Sequence, residues 1–92
     1  MEEQNILNIE RVALEWLLEE RKKQGLTETE FGRLAFPELE NPRGKINSIY
    51  QGKTASGKGL RLRLGDYCAM CKALGKNPPE ELFRLWNSVE NG

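Results

Sequence analysis

Residues 27–52 read TETEFGRLAFPELENPRGKINSIYQG, and their reading decides the fold. Thr27-Glu28-Thr29-Glu30 has the form of a capping box, in which the Thr27 hydroxyl takes the Glu30 amide and the Glu30 side chain reaches back. Leu26 and Phe31 stand at the two positions of a hydrophobic staple. The spacing therefore predicts a helix from Glu28 that runs through Phe31, Leu34 and Ala35 and ends before Pro37. Gly32 inside it costs about 1 kcal/mol relative to alanine, and a second backbone passing close by would account for it. After the turn, Asn41 is the cap of another helix, with Pro42 at the first helical position and Gly52 as the stop. Ile46, Ile49 and Tyr50 make one apolar edge of this second helix. Arg43, Gly44, Lys45, Asn47, Ser48 and Gln51 then point away from a core.

Charge gathers on and after that second helix. The stretch 41–64 holds six basic residues (Arg43, Lys45, Lys53, Lys58, Arg61 and Arg63) and no acidic one, in a chain of formal net charge zero. Residues 1–41 carry a net charge of −5, residues 42–76 a net of +7, and residues 77–92 a net of −2. A basic block on an otherwise acidic surface is the footprint expected for phosphate recognition. The rest of the chain reads as the scaffold that holds the basic helix out.

Working outward, a first helix is expected at about residues 6–24. Ile9, Val12, Ala13, Trp16 and Leu17 form one stripe, and Leu7, Leu14 and Leu18 a second, rotated one. Two apolar sides call for two partners: the core with a second copy of the chain, or one wide core face. Gly25 ends this helix, and Arg21, Lys22 and Lys23 suit its C-terminal dipole. Lys53 to Gly59 reads as a flexible basic loop. Leu64, Tyr67, Met70 and Leu74 continue a helical spacing to Gly75, so a fourth helix is expected at 62–74. Asn77-Pro78-Pro79-Glu80 caps a fifth at 78–88, with Leu82, Phe83, Leu85 and Trp86 as its apolar face. The helix limits are thus 6–24, 28–36, 42–51, 62–74 and 78–88, in an all-α single domain spanning residues 1–92.

Other chemistry finds little support. The 92 residues contain no histidine and two cysteines, Cys68 and Cys71, spaced as small core residues on one helix. No closed zinc site can be built from one chain with that set. Gly52-Lys53-Thr54 lacks the leading glycine and strand of a phosphate-binding loop. No carboxylate cluster sits in an apolar cleft. No enzyme activity, metal or cofactor is expected, nor a membrane span, since no apolar run approaches the required ~18 residues. The acidic opening is no secretory signal, and a cytoplasmic location is expected.

In order along the chain, these pieces resemble the Cro/CI repressor-like (Xre-type) helix-turn-helix family over about residues 9–86. Thr27 to Gly32 looks like that family's helix-two opening, and Ile46 to Lys53 like its recognition helix running to a terminal Gly-Lys. Tyr67 to Gly75 resembles the fourth helix, and Asn77 to Phe83 the capped start of the fifth. Two departures stand out. The segment between Gly32 and Ile46 is longer than the family's usual turn, and Glu28 occupies a position that is often a phosphate-anchoring glutamine.

The resemblance implies a five-helix domain that binds double-stranded DNA with the helix 42–51 in the major groove, as a small phage- or plasmid-type repressor or antitoxin. Arg43 would bind guanine, Asn47 and Gln51 would read adenine, and Gly44 would let the backbone approach. Lys45, Ser48, Lys53, Lys58, Arg61 and Arg63 would meet phosphates. A homodimer reading two half-sites is expected, with Leu7, Leu14, Leu18 and Trp86 as its surface. The competing expectation is a protein-interaction module on the same fold, whose acidic ends would bind a toxin or another regulator. RNA binding is disfavoured by the lack of exposed aromatics on the basic helix.

Overall fold

The chain is held in place by its helix ends. The computed structural model describes residues 3–52 and 62–91, with side chains described over 9–50 and 62–91. Among these residues the chain is all-α, with five helices and no strand. They are α1 (Glu3–Lys23), α2 (Glu28–Ala35), α3 (Pro42–Gly52), α4 (Leu64–Ala73) and α5 (Pro78–Asn91).

Two of the helices stop in the same way. Gly25 and Gly75 have φ of +73° and +70°, a left-handed conformation that glycine reaches without a Cβ penalty. In each case the next amide turns back five residues: Leu26 N donates to Arg21 O at 3.1 Å, and Lys76 N to Cys71 O at 2.9 Å. The amides of Gly25 and Gly75 close the inner bonds to Lys22 O and Lys72 O. This is the double hydrogen-bond pattern that satisfies otherwise orphaned terminal carbonyls. The two ends are then joined, since Gln24 Nε2 donates to Leu74 O at 2.9 Å.

The starts are capped as the residue types dictate. Thr27 Oγ1 accepts from Glu30 N at 3.1 Å, and Thr27 N donates to Glu30 Oε1 at 3.0 Å, completing the capping box. Asn41 Oδ1 accepts from Gly44 N and Asn77 Oδ1 from Glu80 N, each at 3.1 Å. Arg63 occupies the position before α4 without any side-chain cap bond.

Phe31, Leu17, Ile46, Ile49, Met70 and Cys71 are the largest fully buried side chains. They join all of α1–α4 in one core, and Leu85 supplies α5. Apolar burial of this kind stabilises by roughly 25 cal/mol per Å² removed from water. α2 packs between α3 and α4, while α1 lies along α5 and also touches α4. The Arg84 guanidinium lies 5.3 Å above the Trp16 ring, closing the α1–α5 seam on its outer side.

Several expectations change. α1 begins earlier and ends one residue sooner than 6–24. α4 starts at Leu64 rather than 62, because Arg63 keeps an extended backbone at φ −80°, ψ 154°. α5 continues through Ser88 to Asn91, so the polar tail is helical apart from Gly92, which lies outside the described residues. On α1, Leu14 is 3% exposed and buried beside Leu17, and Leu18 packs against the same core. Leu14 and Leu18 thus form the far edge of one wide core face, with Leu18 reaching the side of α1 that looks toward α3. Leu14 is therefore no dimer contact, and the Leu7 side chain lies outside the described residues.

Phe83, expected on the inner face of α5, is 70% exposed, and Leu34 of α2 is 56% exposed. Each sits beyond the stripe its helix turns inward: Leu85 on α5, and Phe31, Gly32 and Ala35 on α2.

Candidate nucleic-acid interface

The placing of α3 depends on Gly32. A methyl group there would lie 3.0 Å from Arg43 N and 3.0 Å from the Pro42 carbonyl carbon. Only glycine lets the first turn of α3 rest on α2 at this separation, as the mid-helix glycine suggested. Ile46 and Ile49, each 2% exposed, then anchor the inner edge of α3. The anchor leaves three strips of the helix facing elsewhere.

The outermost strip holds Gly44 and Ser48, one turn apart. Gly44 has a local reason of its own: a Cβ at that position would collide with the Asn41 side chain that caps the helix. The glycine thus accommodates the cap.

The second strip is Arg43, Asn47 and Tyr50, at i, i+4 and i+7. Arg43 Nε donates to Glu28 Oε2 at 3.2 Å. Asn47 and Tyr50 line an open groove of about 450 Å³ between α3 and α1, whose other walls include Leu18, Glu15, Glu19 and Glu28. Tyr50, expected on the buried edge, is 43% exposed at this groove. At 3.6 residues per turn it falls just past the inward arc that holds Ile46 and Ile49.

The third strip is Lys45, on the opposite flank. Its Nζ lies 3.0 Å from Asp66 Oδ1 in the first turn of α4 and 4.8 Å from the Phe36 ring centroid. An ammonium over an aromatic face and beside a carboxylate is held on two sides. Lys45 was expected to face phosphate, yet it is turned toward α4 instead.

The structure therefore brings Arg43, Gly44, Asn47 and Ser48 onto neighbouring strips of one helix and separates Lys45 from them. Arg63 is exposed at the start of α4. The Gln51 side chain, Lys53, Lys58 and Arg61 lie outside the described residues. Trp86 is half-buried on α5. Reasoning from charge runs missed Glu28 and Asp66, the two carboxylates that meet the α3 cations. Glu28 was legible as the residue after a cap. Its pairing with a side chain fifteen positions away was not.

Among the described residues, no group of three or more Cys, Asp or Glu side chains is arranged to hold a metal ion. No helix among them is long and apolar enough to cross a membrane. Comparison with known proteins finds no family model, no curated protein and no solved structure that matches the chain.

Proposed function

We propose that this chain is a DNA-binding domain of the helix-turn-helix class, with α3 as the helix that enters the major groove. More particularly, it is a small cytoplasmic transcriptional regulator, a repressor or antitoxin of the Cro/CI-like kind, acting as a homodimer on two half-sites. One observation supports this reading above the rest. α3 is fixed to α2 through Gly32 and to the core through Ile46 and Ile49, and it carries Arg43, Asn47 and Ser48 on adjoining outward strips. A major groove about 12 Å wide admits such a helix, and those residue types pair with guanine, adenine and phosphate.

The test is selection from a random-sequence duplex pool across a salt series. An enriched two-fold symmetric site, with affinity falling steeply as salt rises, is the expected result. Weak binding with no enriched sequence would end the regulator reading.

A second reading rests on the pairing of both described α3 cations with carboxylates, which leaves less free positive charge on α3, and on the α1–α3 groove, where Glu15, Glu19 and Glu28 outnumber Arg21 and Lys22. Such a surface suits a protein partner. Reversing Arg43 to glutamate should leave that binding intact while abolishing binding to DNA.

A further inference from the structure

The ion pair between α2 and α3 leaves a particular part of Arg43 available. A guanidinium presents two hydrogen-bonding edges, one containing Nε and one made of the two terminal nitrogens. Glu28 Oε2 takes Nε at 3.2 Å, and the terminal edge takes no part in that bond. Arg43 is 59% exposed and Glu28 41% exposed at the side chain, so the pair contributes little to stability. Its two ends are nevertheless fixed. Glu28 is the first residue of a helix locked by the capping box at Thr27, and Arg43 N lies where a methyl on Gly32 would touch it. A flexible side chain is thus held by one edge between two rigid helix starts.

We infer that Glu28 is a positioning residue for base reading: it holds Arg43 by Nε so that the terminal nitrogens meet a guanine edge as a pre-set fork. The inference rests on the DNA reading above and deepens it, since it assigns specificity to a residue outside α3. Without the carboxylate, Arg43 samples many rotamers and meets phosphates as readily as bases, so base preference falls. The carboxylate also repels nearby phosphates, which lowers affinity for every duplex alike. The two effects separate by substitution. Glu28→Ala removes both the acceptor and the charge, while Glu28→Gln removes the charge and keeps an acceptor oxygen for Nε.

The experiment compares the wild-type chain, Glu28→Ala, Glu28→Gln, Arg43→Ala and Arg43→Lys on the selected site, on the same site changed at each guanine in turn, and on a random duplex. Helical circular dichroism and melting confirm each fold. In Glu28→Ala, discrimination at one guanine position should fall by about ten-fold, the loss expected for one good bidentate contact. Arg43→Ala should lose discrimination at that same position, and adding Glu28→Ala to it should change discrimination no further. Glu28→Gln should keep most of the discrimination while binding random duplex more tightly than the wild type.

Equal tightening of all duplexes in Glu28→Ala and Glu28→Gln, with base preference unchanged, would overturn the inference and reduce Glu28 to a charge. Should Glu28→Ala not fold, Arg43→Lys decides. A lysine keeps the charge but has no fork for Glu28 to set, so discrimination at that one guanine must fall while random-duplex binding persists; undiminished discrimination there overturns the inference. If the wild type itself binds no duplex, the DNA reading fails first, and the inference goes with it.

Discussion

Lys45 Nζ sits 3.0 Å from Asp66 Oδ1, so the helix that carries the candidate reading face is tied by a charge pair to the first turn of α4. Both side chains are largely covered, at 28% and 13% exposure. Asp66 also lies at the positive end of the α4 dipole, which lacks a side-chain cap. Asp66→Asn should cost about 1 kcal/mol, part of it lost at high salt, as read by urea denaturation at two ionic strengths. Lys45→Gln should lower stability similarly while leaving the salt slope of duplex binding nearly unchanged. A slope reduced by about one would show Lys45 meeting a phosphate after all.

Gly32→Ala sets two effects against each other. Helix propensity favours alanine by up to about 1 kcal/mol. Against it stands a Cβ pressed to 3.0 Å from backbone atoms of Pro42 and Arg43, which cannot swing aside like a side-chain tip. Overpacking of this sort typically costs about 1–3 kcal/mol. The variant should therefore melt lower and, because α3 is pushed off α2, bind duplex more weakly than its stability loss alone explains. A melting point at or above wild type would mean the two helices part freely.

The capping box predicts an acid-sensitive helix start. The Thr27 amide and hydroxyl hold the Glu30 carboxylate below its ordinary value of 4.5. A carboxylate lowered in the folded state stabilises above that value and loses its contribution as pH falls below it. Thr27→Ala should cost about 1 kcal/mol near neutral pH through loss of the cap. The difference between variant and wild type should shrink as pH drops from about 5 toward 3. An unchanged difference across that range would mean that the Thr27 amide, which the variant keeps, holds the Glu30 carboxylate without help from the hydroxyl.

Tyr67 and Cys71 give a prediction at the alkaline end. Burial, and then the adjoining Cys71 thiol, push the Tyr67 hydroxyl well above its ordinary 10, and burial likewise raises the Cys71 thiol. Tyr67 donates to Pro78 O at 2.7 Å, joining α4 to the start of α5. A tyrosine raised in the folded state stabilises below pH 10, and that contribution is lost as pH climbs past it. Alkaline unfolding should begin there, and Tyr67→Phe should flatten it while costing about 1–2 kcal/mol at neutral pH. In alkylation of the native protein, half-buried Cys68 should react and fully buried Cys71 should be protected until unfolding. Equal rates would mean that α4 opens locally.

Much of the fold could be read along the chain because its signals are local. Caps at Thr27, Asn41 and Asn77, stops at Gly25 and Gly75, and the breaker Pro37 act within a few residues, and with the apolar spacing of α1 and α4 they announced five helices. Gly32 went further, since a mid-helix glycine implied a close crossing that Pro42 and Arg43 now occupy. What the residue types settled unaided is therefore the starts of α2, α3 and α5 and the order in which a basic helix follows a capped one, while the limits of α1, α4 and the end of α5 came only with the structure. Residue types did not determine which way the basic helix turns its charges. With the helix anchored by Ile46 and Ile49, its two cations meet carboxylates far along the chain: Arg43 meets Glu28 across fifteen residues, and Lys45 meets Asp66 across twenty-one. Likewise, the stripe of Leu14 and Leu18 looked like a second surface until packing buried Leu14 in the core and set Leu18 beside α3. Burial and ion pairing belong to neighbours brought together by packing, and helical periodicity names the face of a helix without naming what lies against it.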